Sequence, residues 1–233
     1  VCPAKRCRDN KVKVFIKTMG CAKNLVEAET IAGNLIAEGH ELTTDIKSAD
    51  AAVIHTCSFI DAARRESLTA IKSIVAHRRH FKSVRKGIIV SGCLAQHSFI
   101  GGGLTPAVHE VVQQADFIVG TGGLSEIPGM LEDISLTPTN RPLRVGHPLK
   151  PGGLLDTRNR IMSSNSSWAY LRIAEGCNNR CNYCLIPSLR GGYKSRKPKD
   201  IIDEAKRLAD AGVKEINLIS QDLSLIHISE PTR

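Results

Sequence analysis

The stretch EGCNNRCNYCLIPSLRG, residues 175–191, places Cys177, Cys181 and Cys184 close together, in the pattern C-x3-C-x2-C. Structural zinc uses four ligands, commonly as two separated C-x2-C pairs. This loop offers three thiols and no histidine. A cubane [4Fe–4S] cluster suits it better, because thiolates are the natural ligands of its irons. Three thiolates on four irons leave one iron open to a substrate. The pair Cys181 and Cys184 alone could form a C-x2-C redox couple, a reading that leaves Cys177 without a part.

A second set is dispersed. Cys21, Cys57 and Cys93 each follow a β-rich run (KVFIKTMGC, AAVIHTC and GIIVSGC) and lie 36 residues apart in both intervals. That interval is about one βα repeat. In an open α/β sheet the C-terminal strand ends lie along the edge where ligands bind, so three such cysteines would converge on one site. The alternative is that each packs as a small apolar residue beneath its loop. Cys2 and Cys7 have no partner pattern. His55, two residues before Cys57, reads as a packed or surface residue before it reads as a support behind the cysteines.

The elements that must position these thiols follow from periodicity. Strands are expected at 13–18, 51–56, 87–91 and 116–120, separated by amphipathic helices, the alternation of a parallel α/β domain. In residues 23–40, Leu25, Ala28, Ile31, Ala32, Leu35 and Ile36 recur at helical spacing, with Gly39 as a C-terminal cap. A second helix over 59–79 puts Ala63, Leu68, Ile71, Ile74 and Val75 on one side. The basic run at 77–86 reads as a solvated connection. Residues 136–167 are rich in Pro, Gly, Ser and Arg without a sustained period and read as a linker. Beyond it, a strand at 168–174, a helix at 198–212 and a strand at 214–220 make a βαβ unit too small to bury its own faces.

Composition narrows the class. The 233 residues are 42% hydrophobic, and the mean hydropathy is −0.12. No apolar run approaches the ~18 residues of a membrane span. The start lacks the apolar core of a signal peptide. A cytoplasmic location is therefore expected, where eight cysteines are metal ligands or catalytic thiols before they are disulfides. The formal charge of +9 favours approach to nucleic acid or ribonucleoprotein. The five Phe, three Tyr and one Trp are not interleaved with basic runs as a single-strand stacking surface requires.

The three-cysteine loop, with aromatic Tyr183 before its last thiol, resembles the radical SAM superfamily. Taken with GCAKNLVEAE, HTCSFIDAARRES, SGCLAQ, IAEGCNNRCNYCLIPSLRGGYKSR and GVKEINLISQD, it is similar to the MiaB/RimO methylthiotransferases, from about Lys13 to Asp222. The KN after Cys21, the FID…ES after Cys57 and IPSLRG after Cys184 resemble the RimO-type branch, which modifies an aspartate of the twelfth small-subunit ribosomal protein. The MiaB-type branch, which acts on a tRNA adenosine, typically shows QMN, an IREKA-like stretch and VPYTRG there. The resemblance implies an N-terminal flavodoxin-like domain at 13–135 that follows an irregular 1–12. It also implies the first βα unit of a radical SAM α/β barrel at 168–222.

The same resemblance implies that Cys21, Cys57 and Cys93 hold one [4Fe–4S] cluster, whose free iron carries the sulfur to be inserted. Cys177, Cys181 and Cys184 would hold the second. Its open iron would bind S-adenosyl-L-methionine, and reductive cleavage of a C–S bond would yield a 5′-deoxyadenosyl radical that abstracts hydrogen from an unactivated C–H. Tyr183 is expected near the adenine. A second S-adenosylmethionine would supply the methyl group, and an electron donor and a sulfur source are implied partners. The alternatives are a tRNA adenosine methylthiotransferase and, more remotely, a non-catalytic Fe–S or zinc module that binds RNA.

Three departures from the family pattern stand out. HSFIGGGLTPAVHE follows SGCLAQ where an arginine-bearing helix is usual, and VEAE replaces VDSE. After Asp222 the family continues through the barrel and a TRAM domain, whereas LSLIHISEPTR resembles a translated sequencing adapter, so 223–233 is expected to be non-native and the chain a fragment. The reconstituted 233-residue chain is accordingly expected to cleave S-adenosylmethionine far more slowly than a complete enzyme. Release of 5′-deoxyadenosine at a complete enzyme's rate under anaerobic reduction would overturn this.

Overall fold

The computed structural model describes residues 11–78, 87–100, 103–133, 143–145, 154–163 and 167–224. Strands β1 (Lys13–Thr18), β2 (Glu41–Thr43), β3 (Ala51–Thr56), β4 (Gly87–Gly92), β5 (Phe117–Val119) and β6 (Leu143–Val145) form one sheet in the order β2-β1-β3-β4-β5-β6. Every pairing is parallel. This is the flavodoxin-like order with one strand added at the far edge. β3 and β4 are buried at every position, as strands covered on both faces must be.

Alternation sends successive side chains of each strand to opposite layers. On one face, Val14, Val53 and Ile89 pack with Ile31 and Leu35 of α1 (Ala22–Ala37). On the other, Ile54, Ile88 and Val90 meet Ile71 and Ile74 of α2 (Asp61–His77), Leu94 of α3 (Cys93–Ile100) and Val111 of α4 (Pro106–Val112). α5 (Ile127–Asp133) returns to the α1 face through Ile127 and Leu131. Helix α4 lies within the sequence that departs from the family pattern.

The second unit comprises β7 (Trp168–Arg172), β8 (Ala174–Glu175), α6 (Ile186–Arg190), β9 (Lys194–Ser195), α7 (Pro198–Asp210) and β10 (Glu215–Ile219). β7 and β10 pair in parallel across α7, and β8 pairs antiparallel with β9. Its apolar core is small: Ala169, Leu171, Leu208 and Val213 are the buried members. The unit packs its β7 strand against α1 and its α6 against α3.

The stretch expected to be a linker is partly structural. Residues 143–145 pair with β5, and 154–163 run along α1 as a strap. Ile161 donates its N–H to the Glu29 carbonyl at 3.3 Å, and Asn159 Nδ2 donates to Asn34 Oδ1 at 3.1 Å. Periodicity missed the strap because polar groups hold it. It also missed β2 and β6, which are three residues long. Most of the basic run (79–86), Cys2 and Cys7, and residues 225–233 lie outside the described residues. No helix among the described residues is long and apolar enough to cross a membrane.

Gly33 shows how close the strap comes. A Cβ built there would sit 1.6 Å from the Asn159 carbonyl oxygen. Helix propensity alone makes Gly→Ala stabilising by about 1 kcal/mol; here Gly33→Ala should instead destabilise, by about 1–3 kcal/mol as for overpacking. Urea unfolding of the two proteins checks this, and a more stable Gly33→Ala protein would refute the strap contact.

Candidate functional site

The three dispersed cysteines come together. Cys21 ends the β1–α1 turn, Cys57 follows β3, and Cys93 opens α3 directly after β4. All three line one cavity of about 1070 Å³. Glycines make the approach close: Gly20 has φ +101°, and a Cβ there would lie 2.6 Å from Cys57 Cβ and 3.0 Å from Cys57 Sγ. Gly92, before Cys93, has φ +91° and presses against the Thr56 carbonyl. These are positions where only glycine is unstrained.

The roof of the cavity comes from the second unit. Trp168, Tyr170, Ile186, Arg190, Ile219 and Gln221 line it opposite Phe59 and Ile60. Trp168 and Tyr170 meet edge to face with ring centroids 5.0 Å apart, a favoured aromatic geometry. The walls are thus largely apolar, with the thiols and a few polar groups between them.

Behind the cysteines runs a buried ionic network that the periodicity of α1 conceals. Glu27, on the face of α1 towards the second unit, is almost fully buried. It accepts from Arg172 Nη1 at 3.0 Å, meets His55 Nε2 at 3.1 Å and pairs with Arg190 Nη1. His55 Nδ1 meets Ser91 Oγ at 3.0 Å, so His55 is packed behind Cys57 and carries the orientation of Glu27. Burial would raise the Glu27 carboxyl, but Arg190, His55 and Arg172 outweigh it and hold the group well below the usual range.

Lys23 extends the network. Its Nζ donates to the Ala174 carbonyl at 2.7 Å, to Glu175 Oε2 at 3.3 Å and to Gln221 Oε1. Burial pulls its pKa down to about 8 despite Glu175 beside it. Gln221 in turn donates to Glu175 Oε1 at 2.7 Å and accepts from the Gly176 N–H at 2.9 Å. Glu27, Arg172 and Gln221 were not among the residues singled out from sequence, and Lys23 was read only as part of the KN that marks the branch. The available signal was charged residues on an otherwise apolar helix, GCAKNLVEAE.

Burial favours the protonated form of the Cys57 and Cys93 thiols. It pushes Cys93 up to about 12, against the pull of Arg190, and raises Cys57 as well. Metal binding must therefore displace protons here. Among the described residues no three His, Cys, Asp or Glu side chains are grouped to hold a single metal ion. A lone zinc draws its sulfurs within ~2.3 Å of one point, whereas a cluster of several irons spreads them. Three thiols around one roomy, apolar-walled cavity fit the cluster.

The second cysteine set lies in the loop between β8 and α6. Cys177 is buried, Cys184 half-buried and Cys181 exposed. The loop is shaped by its backbone: Cys177 N–H donates to the Gly191 carbonyl at 3.1 Å and Cys184 N–H to the Cys181 carbonyl at 3.0 Å. Two backbone N–H groups point at sulfur, Asn179 at Cys177 Sγ (3.4 Å) and Ile186 at Cys184 Sγ (3.5 Å), which is how proteins stabilise thiolate on iron. Gly176 (φ +75°) permits the turn; a Cβ there would lie 2.3 Å from the Gly192 carbonyl oxygen. Tyr183 is 87% exposed, and neither it nor this trio lines the cavity of the first set.

Comparison with known proteins follows this division of the chain. Residues 13–120 match the family model "Uncharacterized protein family UPF0004", and residues 171–228 match "Radical SAM superfamily". The chain is 39% identical over 215 residues to the "Ribosomal protein uS12 methylthiotransferase RimO" of Pelobacter propionicus, covering 92% of this chain and 45% of that protein. It is 38% identical over 215 residues to the protein of that name from Clostridioides difficile, covering 91% and 45%. The chain thus spans about half the length of the curated relatives it matches. A radical S-adenosylmethionine methyltransferase, TsrM, from Kitasatospora setae, solved with cobalamin and a [4Fe-4S] cluster, superposes with a TM-score of 0.58 at 14% identity. That match covers 93% of this chain and 49% of TsrM, a likeness of fold.

The network makes a stability prediction away from the cysteines. Glu204 of α7 accepts from Arg160, Arg196 and Thr157; burial alone would raise it, but these partners hold it below its ordinary value of 4.5. A depressed carboxyl stabilises above its unfolded pKa and loses that contribution as pH falls through its folded pKa. Glu204→Gln should therefore cost about 3 kcal/mol at pH 7 and flatten the loss of stability below about pH 4.5. Urea midpoints measured from pH 7 to pH 3 test both; parallel curves would refute it.

Proposed function

Because this chain belongs to the RimO-type methylthiotransferases of the radical SAM superfamily, we propose that it forms part of an enzyme that inserts sulfur and a methyl group at an unactivated C–H of ribosomal protein uS12, at an aspartate, in the cytoplasm. The observation that carries this reading is the convergence of Cys21, Cys57 and Cys93 from three strand ends on one cavity roofed by the radical SAM unit. Its substrate side rests on relatives named as uS12 methylthiotransferases.

In this reading Cys21, Cys57 and Cys93 hold one [4Fe–4S] cluster and Cys177, Cys181 and Cys184 hold another that also binds S-adenosylmethionine. When bound, these groups supply one-electron cleavage of S-adenosylmethionine and the sulfur that is transferred. The chain's own residues do the rest. Trp168, Tyr170, Phe59, Ile60 and Ile219 keep the cavity apolar, which limits water around reactive species. Arg190 and Lys23 place positive charge against the cysteine-bearing turns, offsetting thiolate charge. Gln221, through Gly176 and Lys23, ties the second cysteine loop to the turn that carries Cys21. The exposed ring of Tyr183 is free to stack on adenine.

Anaerobic reconstitution tests the cofactor assignment. About eight irons with matching sulfide should bind per chain, falling to about four when either trio is replaced by alanine. Stoichiometric zinc without sulfide would sink the enzyme reading. For the substrate, the full-length protein should methylthiolate a uS12 peptide; modification of tRNA alone would move the assignment to the other branch.

A further inference from the structure

One short helix touches both cysteine sets. At the start of α6 the Ile186 N–H meets Cys184 Sγ at 3.5 Å, and at its end Arg190 Nη2 meets Cys93 Sγ at 3.2 Å. Arg190 is almost wholly buried. Its guanidinium is held on every side: Nη1 pairs with Glu27, and Nη2 donates to Asn24 Oδ1 at 2.9 Å as well as to the sulfur. Asn24 is itself fixed by donating to the Met19 and Thr56 carbonyls, both at 2.9 Å.

A guanidinium has only donors and keeps its charge in proteins. The Cys93 sulfur therefore accepts in this contact whether thiol or thiolate, and a thiolate gains more from it because donor and acceptor are then oppositely charged. The surrounding charges agree. Among the buried groups, setting His55 aside, Lys23, Arg172 and Arg190 face Glu27 and Glu175, so buried cations outnumber buried carboxylates by one, while Glu66 of the cavity wall is exposed to water. Thiolate charge in the adjoining cavity is the natural complement. Among the described residues, Cys93 is the one cysteine of its set with a cation hydrogen-bonded to sulfur.

We propose that Arg190 is a positioning residue for the cluster held by Cys21, Cys57 and Cys93, orienting the Cys93 thiolate and raising that cluster's reduction potential. This rests on the assignment of a cluster to these cysteines. Hydrogen bonds to sulfur and local net charge are the protein's levers on such potentials. Reduction adds negative charge, and a fixed cation in a dry site favours the added electron more than it would in water. Because α6 begins on Cys184, the same residue ties the geometry of one set to the other.

The test uses the 233-residue chain with Cys177, Cys181 and Cys184 changed to alanine, so that only this cluster forms. Iron content and an EPR-monitored redox titration are compared for Arg190, Arg190→Lys and Arg190→Gln. Arg190→Gln should retain iron and lower the reduction constant about tenfold, a shift of about 59 mV for one electron. Arg190→Lys, which keeps the charge but loses the planar fork, should fall between. Potentials unchanged in both variants would overturn the proposal, as would loss of iron from both, which would make the role purely structural. If Arg190→Gln alone loses iron, a shifted Arg190→Lys potential supports the proposal and an unshifted one overturns it. Failure of the Arg190 parent to bind iron would instead overturn the cluster assignment itself, and this proposal with it.

Discussion

Glu27 lies between two arginines and a histidine with almost no access to water, and the rest of the architecture follows from its need for partners there. An unpaired carboxylate at that depth would cost several kcal/mol. Its cations come from different elements: Arg172 from the end of β7 and Arg190 from the end of α6. Satisfying Glu27 therefore docks the second unit on α1 at one position. That position closes the roof over Cys21, Cys57 and Cys93. Apolar packing alone would be less selective, because it is non-directional.

The strap over 154–163 repeats the device at Glu29, two residues further along α1. Arg160 bridges Glu29 of α1 and Glu204 of α7 at 2.8 Å each, and Arg196 reaches from beside β9 to the same Glu204 and to the Arg172 carbonyl. Two carboxylates of α1, Glu27 and Glu29, point to different sides of the helix and thus serve two separate arginine groups. Both networks are buried, so salt screens them little. Their value lies in geometry as much as in energy, because bidentate and forked contacts specify orientation as well as distance.

The two cysteine sets are both tied to this ionic layer and are built differently. The first is assembled from three turns of a rigid parallel sheet, and burial raises two of its thiols, Cys57 and Cys93. The second lies in one loop whose backbone N–H groups already face two sulfurs. Lys23, Glu175 and Gln221 occupy the space between them and bond to elements on both sides. The layer is thus both the mechanical joint of the molecule and the electrostatic environment of its thiols.

Much of this was readable from the chain. Four strands of the N-terminal sheet and both its longer helices follow from alternation and helical periodicity, because apolar burial dominates them. The C-x3-C-x2-C loop announces itself because its ligands are local in sequence, and Cys21, Cys57 and Cys93 could be grouped because parallel strands repeat at a regular interval. What periodicity could not show was anything held by charge. Glu27 and Glu29 look like the solvated side of α1, residues 154–163 look like a linker, and Arg190 looks like one more basic residue after a motif. Residue type and spacing alone establish which thiols are available and which strand ends carry them. That Arg190 rests on Cys93 emerges from the folded chain alone, because a buried ion pair spanning 163 residues leaves no local pattern and forms only when both halves are folded against each other.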